Sequence, residues 1–238
     1  LKDEGMLTDA RLVYCDDRKY RDIVAEHGRS GTPYGSVVQE LRADGHADLE
    51  DVKITFIHPF ALLYHLVELC SVFKQFFEGV VDAAGLNPLK LIVYADELTP
   101  GNPMRPDGGR ATWAVYWIFA TFPSHICCRK DHWLPMCVIR SNIVKQIAGG
   151  PSALLKRLTH VFFPMVGRSL LIGINIGRVV VKAVFTGFMT DEKGLKEIYD
   201  IKGQAGVKPC IACANLYRFR PTDGDPSAIG LCCTDVSR

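Results

Sequence analysis

The run Leu89-Lys90-Leu91-Ile92-Val93-Tyr94-Ala95-Asp96 decides the fold. Leu89 to Ala95 is short, β-branched and almost wholly apolar, the pattern of a strand buried on both faces. Such a strand cannot hold an unpaired charge in its interior, so Asp96 is expected to emerge at the sheet's edge, where ligands of open α/β sheets bind. Just downstream, Thr99-Pro100-Gly101-Asn102-Pro103 forces a loop. Ala111 to Phe122, rich in aromatic and β-branched residues, reads as a second strand, and Leu134 to Ile139 as a third. Gly149-Gly150-Pro151-Ser152 then opens a helix with Leu154, Leu155, Leu158, Val161 and Phe162 inward, and Pro164 closes it. A hairpin follows, Leu170 to Ile176 and Val179 to Phe188, and its second arm runs into Thr190-Asp191.

Upstream, the apolar positions Phe60, Leu63, Tyr64, Val67, Cys70, Phe73, Phe76, Phe77 and Val80 recur every three or four residues. They predict one long helix from Pro59 to about Ala84, ended by Gly85 and Pro88. Before it, Ser36 offers an N-cap to a short helix with Val37, Val38 and Leu41 on one face, stopped by Gly45. Residues 1–33 are polar and aperiodic, a tail or the end of a preceding domain.

The chain has 238 residues, of which 48% are hydrophobic and 23% charged, so disorder and collagen-like architecture are excluded and a core can form without staples. Nine cysteines, an odd number that includes the adjacent pairs Cys127-Cys128 and Cys232-Cys233, point to a reducing compartment and to free or metal-bound thiols. The most apolar stretch, Leu170 to Met189, contains Arg178 and Lys182 and a Gly177-Arg178 turn, so no membrane span is expected. A start at Leu1 suggests a piece of a longer reading frame.

The formal net charge of +2 hides an asymmetry. Residues 1–97 carry 10 basic and 17 acidic side chains, whereas residues 98–190 carry 11 basic ones (Arg105, Arg110, Arg129, Lys130, Arg140, Lys145, Lys156, Arg157, Arg168, Arg178, Lys182) against Asp107 and Asp131 alone. Such a segment suits a polyanion-binding face, because each cation placed near a phosphate releases a condensed counterion. The alternative is a scattered basic surface neutralised by the acidic N-terminal third.

Strand, strand, strand, helix, strand, with an acid ending the first strand and another just past the last, is the plan of a ribonuclease-H-like α/β fold: a mixed sheet with flanking helices, here preceded by a helical segment. Carboxylates at the ends of neighbouring strands, roughly 4–8 Å apart, can share a hard divalent cation completed by substrate phosphates. The plainer alternative makes Asp96 and Asp191 turn residues, common where strands end. Against it, the two acids bracket the basic segment.

Tyr94-Ala95-Asp96-Glu97-Leu98-Thr99-Pro100-Gly101-Asn102-Pro103, with Tyr116-Trp117, Phe122-Pro123, Trp133-Leu134-Pro135 and Lys208-Pro209-Cys210-Ile211-Ala212-Cys213, resembles the catalytic region of CACTA-type (En/Spm-like) DNA transposases. The resemblance covers about residues 55–217. It implies an Asp-Asp-Glu triad that uses Mg²⁺ (or Mn²⁺) to cut a phosphodiester and join the freed 3′-hydroxyl to target DNA. Asp96 matches the first acid, and Asp191, 19 residues before Cys210, the second. No residue here matches the closing Glu, which in the family follows a further insertion. The expected partner is DNA, with self-association as a second, and the expected location is nuclear.

Cys210-x-x-Cys213 has the spacing of half a zinc site, or is a pair of incidental thiols; Cys232 is the candidate third ligand for Zn²⁺. His58 and His65 read as core or boundary residues on the long helix, and Trp113, Trp117 and Trp133 as core and strand residues, with base stacking a lesser option. His125 and His132 flank a loop, Cys127-Cys128-Arg129-Lys130, assigned to phosphate contact. Arg105, Arg110, Arg129, Lys130, Arg140 and Lys145 are the expected DNA-binding residues. The division expected is 1–33 as above, 34–88 a helical segment, 89–205 an incomplete ribonuclease-H-like core, and 206–238 the start of a Cys-x-x-Cys insertion. Two other functions compete with the transposase core: a non-enzymatic DNA- or protein-binding remnant, and a C-terminal zinc module on an inert body.

Overall fold

The computed structural model describes residues 28–29, 31–46, 50–98 and 111–199, and the backbone of one further short strand pair. The loop at Thr99 to Pro103, Arg105 and Arg110, the polar stretch before residue 28 and the Cys210-Cys213 motif lie outside the described residues.

A two-residue ladder, β1 (Gly31–Thr32) with β2 (Gly35–Ser36), leads into an antiparallel hairpin of β3 (Val38–Ala43) and β4 (Val52–Ile57). The helix expected after Ser36 is therefore a strand. Val37, Val38 and Leu41 fit one helix face equally well, but the partner strand alternates cleanly, with Val52, Ile54 and Phe56 buried and Lys53 and Thr55 exposed. Ser36 Oγ donates to the Val38 carbonyl at 2.8 Å instead of capping a helix. The segment preceding the main sheet is thus half hairpin and half helix.

The long helix is also two helices. The first, α1 (Pro59–Leu69), ends at Cys70, whose extended backbone (φ −125°, ψ 101°) opens α2 (Ser71–Ala84). Cys70 Sγ accepts from the Phe73 amide at 3.4 Å, so a residue expected on the buried stripe serves as an N-cap. Gly85 closes α2 with φ +59° and ψ −117°, a positive-φ conformation that glycine adopts without strain.

The main sheet begins with β5 (Leu89–Leu98) and β6 (Thr112–Phe119). A short helix, α3 (Ser124–Cys127), and a 3₁₀ turn, Lys130–His132, then lead to β7 (Leu134–Arg140). One turn of helix, α4 (Ser141–Val144), precedes α5 (Gly150–Phe162). The expected hairpin forms as β8 (Ile174–Ile176) and β9 (Val179–Val181), but its second arm divides at Lys182, and β10 (Ala183–Met189) departs to join the main sheet. The described helices end with α6 (Glu192–Ile198), and β11 (Leu216–Tyr217) pairs with β12 (Leu231–Cys232).

Four strands form the main sheet in the order β10-β5-β6-β7, with β10 parallel to β5 and the other pairs antiparallel. The molecule is mixed α/β, and none of the described helices is long and apolar enough to cross a membrane. Odd positions of β5 and β6 (Leu89, Leu91, Val93, Ala95; Trp113, Val115, Trp117, Phe119) are buried. Helices α1, α2 and α5 cover that face: Phe77 meets Phe119 at 6.2 Å, Trp117 meets Phe162 at 5.2 Å, and Phe60 meets Phe162 at 6.4 Å. The hairpin joins the same core beside β7, where Cys137 Sγ donates to the Thr55 carbonyl at 3.6 Å. The even positions of β5 are only half covered, so this strand is not buried on both faces as its composition suggested.

Candidate functional site

Asp96 lies within β5, two residues before its end, on the less covered face. Alternation puts Ile92, Tyr94 and Asp96 on that face, and Tyr94 Oη donates to Asp96 Oδ2 at 2.9 Å. The carboxylate therefore stands inside the strand with a partner, rather than beyond the strand's last residue. The Tyr94 ring is fixed by Tyr116, 6.4 Å away on β6, and by the edge of Trp133 at 6.0 Å.

Asp191 follows β10. The parallel ladder sets Met189, the last residue of β10, opposite Tyr94, so Asp96 stands two residues further along β5 and Asp191 two residues past the end of the neighbouring strand, which runs about 4.8 Å away where the two are paired. The Tyr94 phenol senses both acids. Burial raises its pKa above the ordinary value, the hydrogen bond to Asp96 adds to the rise, and the negative charges of Asp96 and Asp191 push the same way. Asp191 is also the N-cap of α6, where its Oδ1 accepts from the Gly194 amide at 2.6 Å, the turn-residue role foreseen as the plainer alternative. That bond engages Oδ1.

Between the half-covered face and α3 lies a cavity of about 940 Å³ lined by Tyr94, Tyr116, Ile118, Lys130, Trp133 and Met189. The Trp133 indole N–H donates to the Cys127 carbonyl at 3.1 Å, while Trp113 and Trp117 are core residues. The 127–130 segment is not an open loop: Cys127 ends α3 and Lys130 opens the 3₁₀ turn. Cys127 Sγ donates to the Phe122 carbonyl at 3.4 Å, and burial raises its thiol pKa. His132 is buried, its Nδ1 bonded to the Ile126 carbonyl at 3.1 Å, and burial lowers its pKa. Cys128 and Lys130 remain exposed.

The basic residues divide. Arg140 follows Val138 by two on β7, and Val138 stands in register with Ala114 and Asp96, so Arg140 shares the Asp96 face, as Lys130 does at the cavity. Lys145 lines a separate cavity of about 710 Å³ with Trp113, on the helix-covered side of the sheet. Arg129 is half-buried. Outside the expected DNA-binding set, Arg157 pairs with Asp44 at 2.5 Å, and Arg178 with Glu78 at 2.8 Å and Asp82 at 3.0 Å, so the acidic N-terminal third does neutralise part of the basic segment.

Two carboxylates are a hard oxygen donor set of the kind Mg²⁺ uses alongside substrate phosphates, so the pair fits that ion. Among the described residues no group of three or more His, Cys, Asp or Glu could hold a metal. Cys70, Cys127, Cys128 and Cys137 form no disulfide, and burial pushes Cys137 up to about 12, away from the thiolate a metal needs. His58 caps α1 from outside the helix, its Nδ1 accepting from the Ala61 amide at 3.4 Å. Tyr94 is the site residue that reading the sequence passed over, and its signal was the two-residue spacing to Asp96 within a strand. Comparison with protein-family models, curated proteins and solved structures finds no match to the chain.

Proposed function

We propose that the chain carries part of the catalytic core of a DDE-type DNA transposase, a ribonuclease-H-like sheet in which Asp96 and Asp191 hold Mg²⁺ or Mn²⁺ and the cations of the same face hold DNA. The observation that supports this reading is the parallel pairing of β10 with β5, Met189 opposite Tyr94, which brings the ends of the two acid-bearing segments side by side in the mixed sheet β7-β6-β5-β10. When bound, the ion supplies Lewis-acid activation of the attacking oxygen and stabilises the leaving one. Lys130 and Arg140 contact backbone phosphates, and Tyr94 holds the Asp96 carboxylate in place. A nuclear location and zinc at Cys210 and Cys213 belong to the same proposal.

The non-enzymatic remnant is the second reading, favoured by one observation: the Asp191 carboxylate already serves as a helix cap. Supercoiled plasmid incubated with the full chain and Mg²⁺ or Mn²⁺ separates the two. The transposase core predicts metal-dependent nicking that disappears in Asp96→Asn and Asp191→Asn. DNA binding without nicking, indifferent to chelator, supports the remnant, and absence of both binding and nicking overturns both readings.

A further inference from the structure

The hydrogen bond from Tyr94 to Asp96 has a stereochemical consequence for any cation at the acid pair. A carboxylate binds a metal through one oxygen or through both. Mg²⁺ and Mn²⁺ take octahedral sites with short bonds, whereas the larger Ca²⁺ accepts six to eight oxygens and readily uses both from one carboxylate. In this chain Oδ2 of Asp96 already accepts from the Tyr94 hydroxyl at 2.9 Å. The Tyr94 ring packs beside Tyr116 at 6.4 Å and against Trp133 at 6.0 Å, and Trp133 is itself tied to the Cys127 carbonyl at 3.1 Å, an arrangement that favours the observed orientation of the hydroxyl.

We infer that Tyr94 is a positioning residue that presents Asp96 to a divalent cation through Oδ1 alone, and thereby selects Mg²⁺ or Mn²⁺ over Ca²⁺. This rests on the reading of Asp96 and Asp191 as a cation site. Tyr94 touches neither the ion nor the reacting atoms. It acts through the orientation of Asp96, as hydrogen-bond partners of metal-binding carboxylates do, and loss of such a partner typically lowers metal affinity roughly 10- to 100-fold.

The test is binding of the free ions to the full chain without DNA, with Mn²⁺ followed by electron paramagnetic resonance and Mg²⁺ and Ca²⁺ measured by their displacement of it. Tyr94→Phe removes the hydroxyl and keeps the ring, and its melting temperature shows whether packing survives. The expected result is a roughly tenfold loss of Mn²⁺ and Mg²⁺ affinity with a smaller loss, or a gain, for Ca²⁺, so that the Mg²⁺ to Ca²⁺ preference falls. Loss of packing alone would lower all three affinities together. Tyr64→Phe, on α1 at the helix-covered side of the sheet, removes a phenol away from the acid pair and leaves the preference where it is. If Asp96→Asn and Asp191→Asn abolish Mn²⁺ binding while Tyr94→Phe leaves the ion preference unchanged, the role of Tyr94 is refuted and the acid pair stands. If neither Asp variant affects Mn²⁺ binding, the cation site fails and the inference falls with it.

Discussion

Glu78 is a carboxylate taken almost out of water, 4% exposed, on α2. Arg178, at the tip of the β8–β9 hairpin, compensates it through Nε at 2.8 Å and through its own backbone amide at 3.3 Å. The approach is close because Gly177 has φ +57° and no side chain; a Cβ there would stand 2.8 Å from Glu78 Oε1 and 3.1 Å from Val67 Cγ1. The two partners are unequal, since the Arg178 side chain is 67% exposed and that of Glu78 only 6%. Removing Arg178 leaves a buried charge without its counterion, whereas neutralising Glu78 leaves a guanidinium that water solvates. Arg178→Ala is therefore expected to destabilise the fold by about 2 kcal/mol and Glu78→Gln by clearly less. Urea denaturation of both variants checks the order, and equal losses would show that the ion pair does not act in this one-sided way. The sequence carried the turn at Gly177-Arg178 but not the partner, because Glu78 lies 100 residues away and on a helix whose register depends on the break at Cys70.

At the scale of elements, local pattern sufficed where a single answer fitted it. The apolar run of β5, the aromatic β6, and α5 with its Gly-Gly-Pro entry formed as expected. Two helical readings failed because three- and four-residue spacing does not report a break or a strand partner: Cys70 ends α1 with an extended backbone, and β3 is a strand because β4 is there to pair with it. The start of α1 has a further consequence. His58 caps it with an unprotonated Nδ1, and burial lowers the imidazole to about pKa 4. An unfolded chain takes up this proton near pH ~6.5, the folded chain only near 4, so between these values the unfolded state binds more protons and stability falls as pH falls. His132, also lowered by burial, acts in the same direction. Melting temperature should thus drop between pH 6.5 and 4, and His58→Asn, which keeps a capping side chain but does not titrate there, should flatten part of that slope. An unchanged slope would assign the loss to other groups.

Over the whole molecule, one core runs from Ala43 to Ile198, and the four-stranded sheet has one face closed by helices and the other only half covered. The sequence showed the excess of positive charge in residues 98–190 but not its placement, which depends on long-range packing: Arg157 and Arg178 pair with Asp44, Glu78 and Asp82 on other faces, and the exposed Lys130 and Arg140 lie on the face of Asp96. Asp96 itself was legible from the end of an apolar run; that Asp191 would stand one strand away depended on the parallel return of β10, which the hairpin reading of Val179 to Phe188 did not contain and no local signal encoded. Under the proposed function this placement predicts unequal contributions to DNA binding. Each phosphate contact contributes a slope of about −0.9 to the dependence of log affinity on log salt for duplex DNA. Lys130→Ala and Arg140→Ala should each make the slope shallower by up to about that amount, and Arg168→Ala should not change it, because that guanidinium lies 4.9 Å over the Tyr34 ring and bonds the Pro33 carbonyl. Fluorescence anisotropy of a labelled duplex across a salt series measures all three. Should Arg168→Ala flatten the slope as much as Lys130→Ala, the charge would act as a diffuse field over the whole surface, and the Asp96 face would lose its claim to be where DNA lies.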